Sequence, residues 1–330
     1  MTLPKISPAL RQALLNLLRI GVSVTLLAVV LSQINLARLA QTLGEADLRL
    51  YAAALGLGLT GVALRAWRWK VLLDAVGARV PYGRLLYLYF VGAFFNAFLP
   101  TGFGGDVVRV LEFGPGADKA TAAGTTVVDR LAGFIMLFAL ALVALPFALS
   151  LVPGRLLILI GALALAVLLG SLLLFEGNLL RRVTGVLTSR LPGRLQFLSL
   201  SGNGWLARMY AVVTACGRGA VLRALGVSLV FNSVLLFAAW LLAGAFRLGV
   251  TLPTLLVFVP VATASLLLPI SVSGLGVREG IYVLLFAQVG VRQEQALAFS
   301  FAYYSIDLVA GLLGGLIYLA AGLLRLRRRE

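Results

Sequence analysis

Long apolar stretches decide what this chain can become. They fall at about 13–33, 50–70, 84–99, 121–148, 155–175, 222–246, 254–270 and 295–323, with a shorter piece at about 280–290. Several hold roughly 20 apolar residues, enough to cross the ~30 Å hydrocarbon core of a bilayer as α-helix. Backbone N–H and C=O groups in hydrocarbon must be satisfied inside the protein, so only helices or a closed barrel can span. The runs here are continuous and do not alternate with period two, which argues against a barrel. Charged residues make up 12% of the 330, against about 25% in a soluble domain. The fold class expected is all-α: a polytopic helical membrane protein in one integral membrane domain, 1–330.

The net charge of +16 does not indicate nucleic acid as a partner. Its basic residues lie in short linkers and at the termini, the placement that orients membrane proteins and meets anionic headgroups. Arg65, Arg68, Lys70, Arg79 and Arg84 follow the second apolar stretch. Arg181, Arg182, Arg190, Arg194, Arg208 and Arg218 fill the longest linker, and Arg325, Arg327, Arg328 and Arg329 close the chain. All three groups are expected in the cytoplasm, with both termini. Lys5 and Arg11 precede the first stretch with no small-residue cleavage site, so it reads as a retained signal anchor. There is no histidine and one cysteine, Cys216. Disulfides, Cys-rich metal sites and His-based triads are excluded; no cofactor or metal is expected, and Cys216 reads as a small packed apolar residue.

Parity then constrains topology. If 84–99 crossed fully, the most basic linker, 177–221, would lie outside, against the charge rule. If 84–112 and 254–291 each dip in and return, every basic group falls inside. Each half, about 13–148 and about 155–323, then holds three spans and one re-entrant hairpin. Three is odd, so the halves are inverted repeats, and their hairpins enter from opposite faces.

Those two hairpins carry matching motifs. Residues 96–109 read Asn-Ala-Phe-Leu-Pro-Thr-Gly-Phe-Gly-Gly-Asp-Val-Val-Arg, and 265–279 read Ser-Leu-Leu-Leu-Pro-Ile-Ser-Val-Ser-Gly-Leu-Gly-Val-Arg-Glu. Without a gap, Pro100, Gly105 and Arg109 align with Pro269, Gly274 and Arg278, and a D-x-x-A-G follows each, at Asp129 and Asp307. Polar, glycine-bearing breaks in corresponding positions of two halves mark a transporter's binding site. Asn96, Thr101, Asp106 and Arg109 in the first loop, and Ser273, Arg278 and Glu279 in the second, are candidate headgroup ligands. Helix N-termini after such loops offer N–H groups to anions, and Arg grips phosphate bidentately. Asp129, Arg130 and Asp307 lie inside apolar helices, where a charge costs ~2.5–3.5 kcal/mol and must face a cavity or a partner. The competing account makes them structural ion pairs, Asp129 with a hairpin Arg and Asp307 with Arg278 or Arg109. Arg65 and Arg68 read either as interface anchors or as headgroup ligands near the cytoplasmic entrance. Tyr304, with Tyr303, neighbours Asp307; Asn232 and Trp240 read as interhelical contacts.

Arg65-x-x-Arg68-Trp69, Asn96-x-x-Leu-Pro100-Thr-Gly-x-Gly-Gly-Asp106-x-x-Arg109, Val-Asp129-Arg130-x-x-Gly133 and Pro269-x-Ser-x-Ser-Gly-x-Gly-x-Arg278-Glu279 together resemble the lysylphosphatidylglycerol synthase transmembrane-region family, the flippase domain of multiple-peptide-resistance-factor proteins and their stand-alone relatives. The resemblance spans nearly the whole chain. It implies a bacterial or archaeal cytoplasmic-membrane protein, not an enzyme, that moves an anionic or aminoacylated phospholipid between leaflets. Two-domain members carry a soluble aminoacyl-transferase domain after the membrane region. This sequence closes at Arg-Leu-Arg-Arg-Arg-Glu330, so lysyl transfer is not expected of this chain, its lipid need not be lysyl-phosphatidylglycerol, and a separate lipid-modifying enzyme is a candidate partner. The rival readings are an accessory subunit of such a system, or a polyprenyl- or lipid-linked transferase. Against the last, the acidic residues are few and scattered, with no D-x-D. Self-association is compatible with the chain, though no motif specifies it.

Overall fold

A computed structural model describes residues 8–99, 104–114, 118–175, 205–266 and 271–327. Among the described residues the chain forms twelve helices and no strand: α1 (Pro8–Ser32), α2 (Leu36–Gly44), α3 (Leu48–Ala75), α4 (Tyr82–Phe98), α5 (Gly104–Leu111), α6 (Lys119–Ala148), α7 (Gly154–Phe175), α8 (Trp205–Ala215), α9 (Gly217–Ala245), α10 (Leu252–Ser265), α11 (Val277–Ala287) and α12 (Gln293–Arg327). Helices α3, α6, α7, α9 and α12 are each long and apolar enough to cross a membrane. The α1–α2 pair, bent by 90°, adds a sixth candidate. The fold is thus the all-helical, multi-pass membrane architecture expected from the apolar runs.

Polar residues set several helix starts. Asn35, Asp47 and Asp118 cap α2, α3 and α6, each side chain accepting from N–H groups of the first turn, which answers donors a helix leaves unpaired. Two helices escaped the sequence reading: α2 in a segment read as linker, and α8 inside the basic linker 177–221. Residues 177–204 of that linker, with Arg181, Arg182, Arg190 and Arg194, lie outside the described residues. Cys216 is buried between α8 and α9, as expected, and burial pushes its thiol up to about 11.

The centre of the molecule is the antiparallel pair α3 and α9. Leu50 meets Gly244 at one end, Gly61 meets Phe231 midway, and Arg68 reaches Ser228 toward the other. The short helices form two antiparallel hairpins on this pair. In α4–α5, Arg84 donates to the Glu112 carbonyl at 2.5 Å near the base, and Gly105 N–H donates to Asn96 Oδ1 at 2.7 Å near the tip. In α10–α11, Phe258 rings against Phe286 near the base, and Leu266 touches Gly274 near the tip. The first hairpin follows the C-terminal end of α3 and the second follows the C-terminal end of α9. Because that pair is antiparallel, the hairpin bases lie at opposite ends and the tips converge. There Ser273 Oγ donates to the Asn96 carbonyl at 2.9 Å.

Close approach depends on glycine at two places. Gly276 takes φ +83°, and a Cβ there would lie 2.9 Å from Leu27 N and 3.0 Å from Ser23 O of α1; only glycine meets both demands. On the other hairpin, α12 presents Gly311, Gly314 and Gly315 to Ala93, Phe90 and Phe94 of α4, the small-residue packing that holds helices where burial gives no hydrophobic drive.

Candidate functional site

Position 105 lacks a side chain, and so α5 can lie on α4: a Cβ at Gly105 would collide with the Gly92 carbonyl and come within 2.7 Å of Asn96. One turn on, this contact lays Arg109 across Tyr89, its guanidinium carbon 4.0 Å from that ring and 4.7 Å from Trp69. Trp69 is fixed in turn by donating to Thr125 Oγ1 of α6 at 3.0 Å.

Asp129 organises this end. It accepts from Arg68 Nε at 2.6 Å and from the Tyr89 hydroxyl, and Arg109 Nη2 stands 4.0 Å away. Arg68 also donates to Ser228 Oγ at 2.9 Å. A Cβ at Gly133 would lie 2.9 Å from Arg68 Nη1, so the glycine of D-x-x-A-G leaves room for the guanidinium. Asp106 pairs with Arg109 at 2.9 Å and with Arg130. Arg68 and Asp129 are 4% and 2% exposed, a buried pair whose remaining polar atoms also need partners.

The second hairpin is built differently. Glu279 is fully buried, accepts from Gly276 N–H at 2.7 Å and holds Arg278 at 2.5 Å. It thus closes the N-terminus of α11 and fixes Arg278, whose guanidinium carbon lies 4.3 Å from the Tyr304 ring centre. Val272 N–H donates to Ser23 Oγ of α1 at 2.7 Å.

Between the hairpin tips lies a cavity of about 360 Å³. It brings together Arg65 and Arg68 from α3, Asn96 from α4, Asp106 and Arg109 from α5, and Asp129 and Arg130 from α6. Ser273 and Arg278 from the second hairpin, and Tyr304 and Asp307 from α12, complete the set. Eleven of the thirteen candidates therefore share one space. Glu279 stands apart, behind Arg278 as its anchor, and Thr101, with Pro100 and Pro269, lies outside the described residues. Five arginines and three aspartates line the cavity, so its excess charge is positive.

Three expectations need correcting. Arg65 and Arg68 are neither linker residues nor interface anchors, because α3 continues to Ala75 and carries both into the cavity. The ion pairs differ in part: Asp129 has the expected hairpin arginine, Arg109, at 4.0 Å but pairs more closely with Arg68, and Arg278 pairs with its own neighbour Glu279. Asp307 has no salt bridge to either expected arginine. Trp240 is 43% exposed, and its ring stacks on Phe237 of its own helix and not, among the described residues, on a ring of another. Asn232 is the interhelical contact expected, donating to the Gly133 carbonyl at 3.2 Å.

Sequence reasoning missed Tyr89, Phe231 and Ser228. Tyr89 had a signal: with Gly92 and Asn96 it follows a three-then-four spacing that places all three on one face of α4. Ser228 and Phe231 sit in an otherwise apolar run without any motif. Among the described residues no three Asp, Glu or Cys side chains converge in a metal-binding group.

No curated protein matches the chain. The family model described as the lysylphosphatidylglycerol synthase TM region matches residues 16–315.

Proposed function

The chain belongs to the lysylphosphatidylglycerol synthase transmembrane-region family, and from that membership and the cavity we propose that it is a lipid translocase, moving an anionic or aminoacylated phospholipid between leaflets. Membership gives a role with membrane lipids; the translocation step is our reading. One observation carries it: five arginines gathered from four helices, α3, α5, α6 and α11, in a cavity between two hairpins based at opposite ends of the α3–α9 pair.

In this reading both hairpins are re-entrant, dipping from opposite faces of a bacterial or archaeal cytoplasmic membrane, and both termini are cytoplasmic. Broken backbone at bilayer depth is tolerated where protein or a watered cavity surrounds it, and here each tip is braced by the other. A headgroup leaving water loses its hydration, and guanidinium groups held by Asp106, Asp129 and Glu279 replace it with donors already in place. Preorganisation reduces the ordering cost on binding. The acyl chains remain in the bilayer while the headgroup crosses.

Transport in reconstituted liposomes tests the reading. Arg109→Ala and Arg278→Ala are each expected to slow headgroup movement by about tenfold or more, the loss of one charged contact being worth at least ~1.4 kcal/mol. Wild-type rates in both variants would refute the site.

A further inference from the structure

Among the described residues four carboxylates lie in or behind the cavity, and three are committed. Asp129 accepts from Arg68 and Tyr89, Asp106 pairs with Arg109 and Arg130, and Glu279 accepts from Arg278 and from Gly276 N–H. A proton on any of these would weaken a bond that positions an arginine. Asp307, near the middle of α12, is the exception. Its side chain is exposed into the cavity and forms neither a salt bridge nor a hydrogen bond among the described residues. It can therefore gain or lose a proton without breaking a contact that holds the fold, and a lone ionisable group at such depth in a spanning helix suits a proton site.

The helices packed on α12 offer no rival acceptor. Its own chain brings Tyr303 and Tyr304, and α11 brings Tyr282 and Arg278, the last with Nε and Nη2 on Glu279 at 3.2 and 2.5 Å. Helix α3 brings Arg65, and Tyr51, whose hydroxyl bonds Ser305 Oγ at 2.6 Å. Helix α4 adds Tyr89 to the cavity wall, α9 adds only Phe231, Asn232 and Leu235, and α2 adds nothing. Phenols and guanidinium groups exchange protons far above neutral pH in water, and carboxyl groups below it. An anionic ligand would neutralise arginine charge and set a second negative charge in the same 360 Å³ as Asp307. Like charges confined together favour protonation of one of them.

From this placement we infer that Asp307 is a proton-binding site linked to the headgroup site: the carboxylate takes a proton from water as an anionic headgroup enters and returns it to water as the headgroup leaves. The proton adds to a carboxylate oxygen, so one phosphate anion and one proton cross together and no other reactant is needed. The inference rests on the translocation reading for its setting and supplies that reading with an energy source, a proton gradient down which lipid and proton travel the same way. By linkage each raises the affinity for the other by the same factor.

The test is the pH dependence of binding to the purified full chain in detergent, from about pH 4 to about pH 8. Dihexanoyl-phosphatidylglycerol displaces a lysophosphatidylglycerol that bears a pH-insensitive fluorophore; the phosphodiesters keep their charge throughout, so neither lipid titrates. In the wild type the dissociation constant is expected to rise with pH, by up to about tenfold per unit, the limit for one proton. Asp307→Asn fixes the neutral state and is expected to bind at every pH as tightly as the wild type does at the acidic end. Asp307→Ser is expected to do the same, so misfolding of one variant does not decide the matter. Asp307→Glu keeps a titratable group and keeps a slope, and Arg65→Ala weakens binding throughout yet keeps one. A flat wild-type profile, or a wild-type slope in the Asn and Ser variants, overturns the assignment. In liposomes an imposed proton gradient is expected to drive the headgroup the way the protons move. Binding linked to pH without any headgroup movement would sink translocation and leave the proton site standing, and movement with flat binding would do the reverse.

Discussion

At the scale of single residues, Asp129 and Arg68 hold the cluster together. The two are 61 positions apart in sequence, nearly fully buried, and joined by a 2.6 Å bond. Removing one partner strands the other, which costs about 3–5 kcal/mol in a buried pair. Arg68→Ala is therefore expected to lower thermal stability in detergent sharply, and Arg68→Met with Asp129→Leu to restore much of the loss, as a double-mutant cycle would register. Equal and additive losses would mean that the two do not act as a pair. The sequence made Asp129 conspicuous, because a carboxylate inside an apolar helix is expensive. It could not name the partner: Arg68 lies next to Trp67 and Lys70 in what reads as an interface girdle, and only the continuation of α3 to Ala75 carries it inward.

At the scale of elements, the α4–α5 hairpin turns on the Gly105–Gly92 contact. A methyl at position 105 would collide with the Gly92 carbonyl, which is helix backbone and cannot rotate away. Gly105→Ala is expected to pry α5 from α4, break the hydrogen bond to Asn96, lift Arg109 from the Tyr89 ring and lower stability by about 1–3 kcal/mol, as overpacking does. A thermal midpoint equal to that of the wild type would show that the hairpin is not held there. Both breaks were legible in sequence through their shared Pro, Gly and Arg spacing. The 90° turn into α2 and the helix α8 were not, since short amphipathic pieces between long apolar runs look like linkers.

At the scale of the whole molecule, charge placement and parity single out 84–112 and 254–291 as the segments expected to return, and the structure has an antiparallel helix hairpin in each. That the tips touch follows from no local pattern; it needs the antiparallel α3–α9 pair, which puts the hairpin bases at opposite ends. If headgroup movement requires the tips to part, fastening them should stop it. With Cys216 replaced by serine, cysteines introduced at Ala97 and Ser273, the Ser273 hydroxyl lying 3.4 Å from the Ala97 carbonyl oxygen, are expected to be joined by a short, reducible bifunctional thiol reagent that abolishes transport, with recovery on reduction. Undiminished movement in the crosslinked protein would place the path elsewhere.

The Arg68–Asp129 bond also bears on how such a chain can drift over generations. Neither residue can be exchanged alone without stranding its mate, and Tyr89 and Ser228 are tied to the same pair. Lineages descending from this protein must therefore abandon these side chains together or keep them together, so the quartet is inherited as one character.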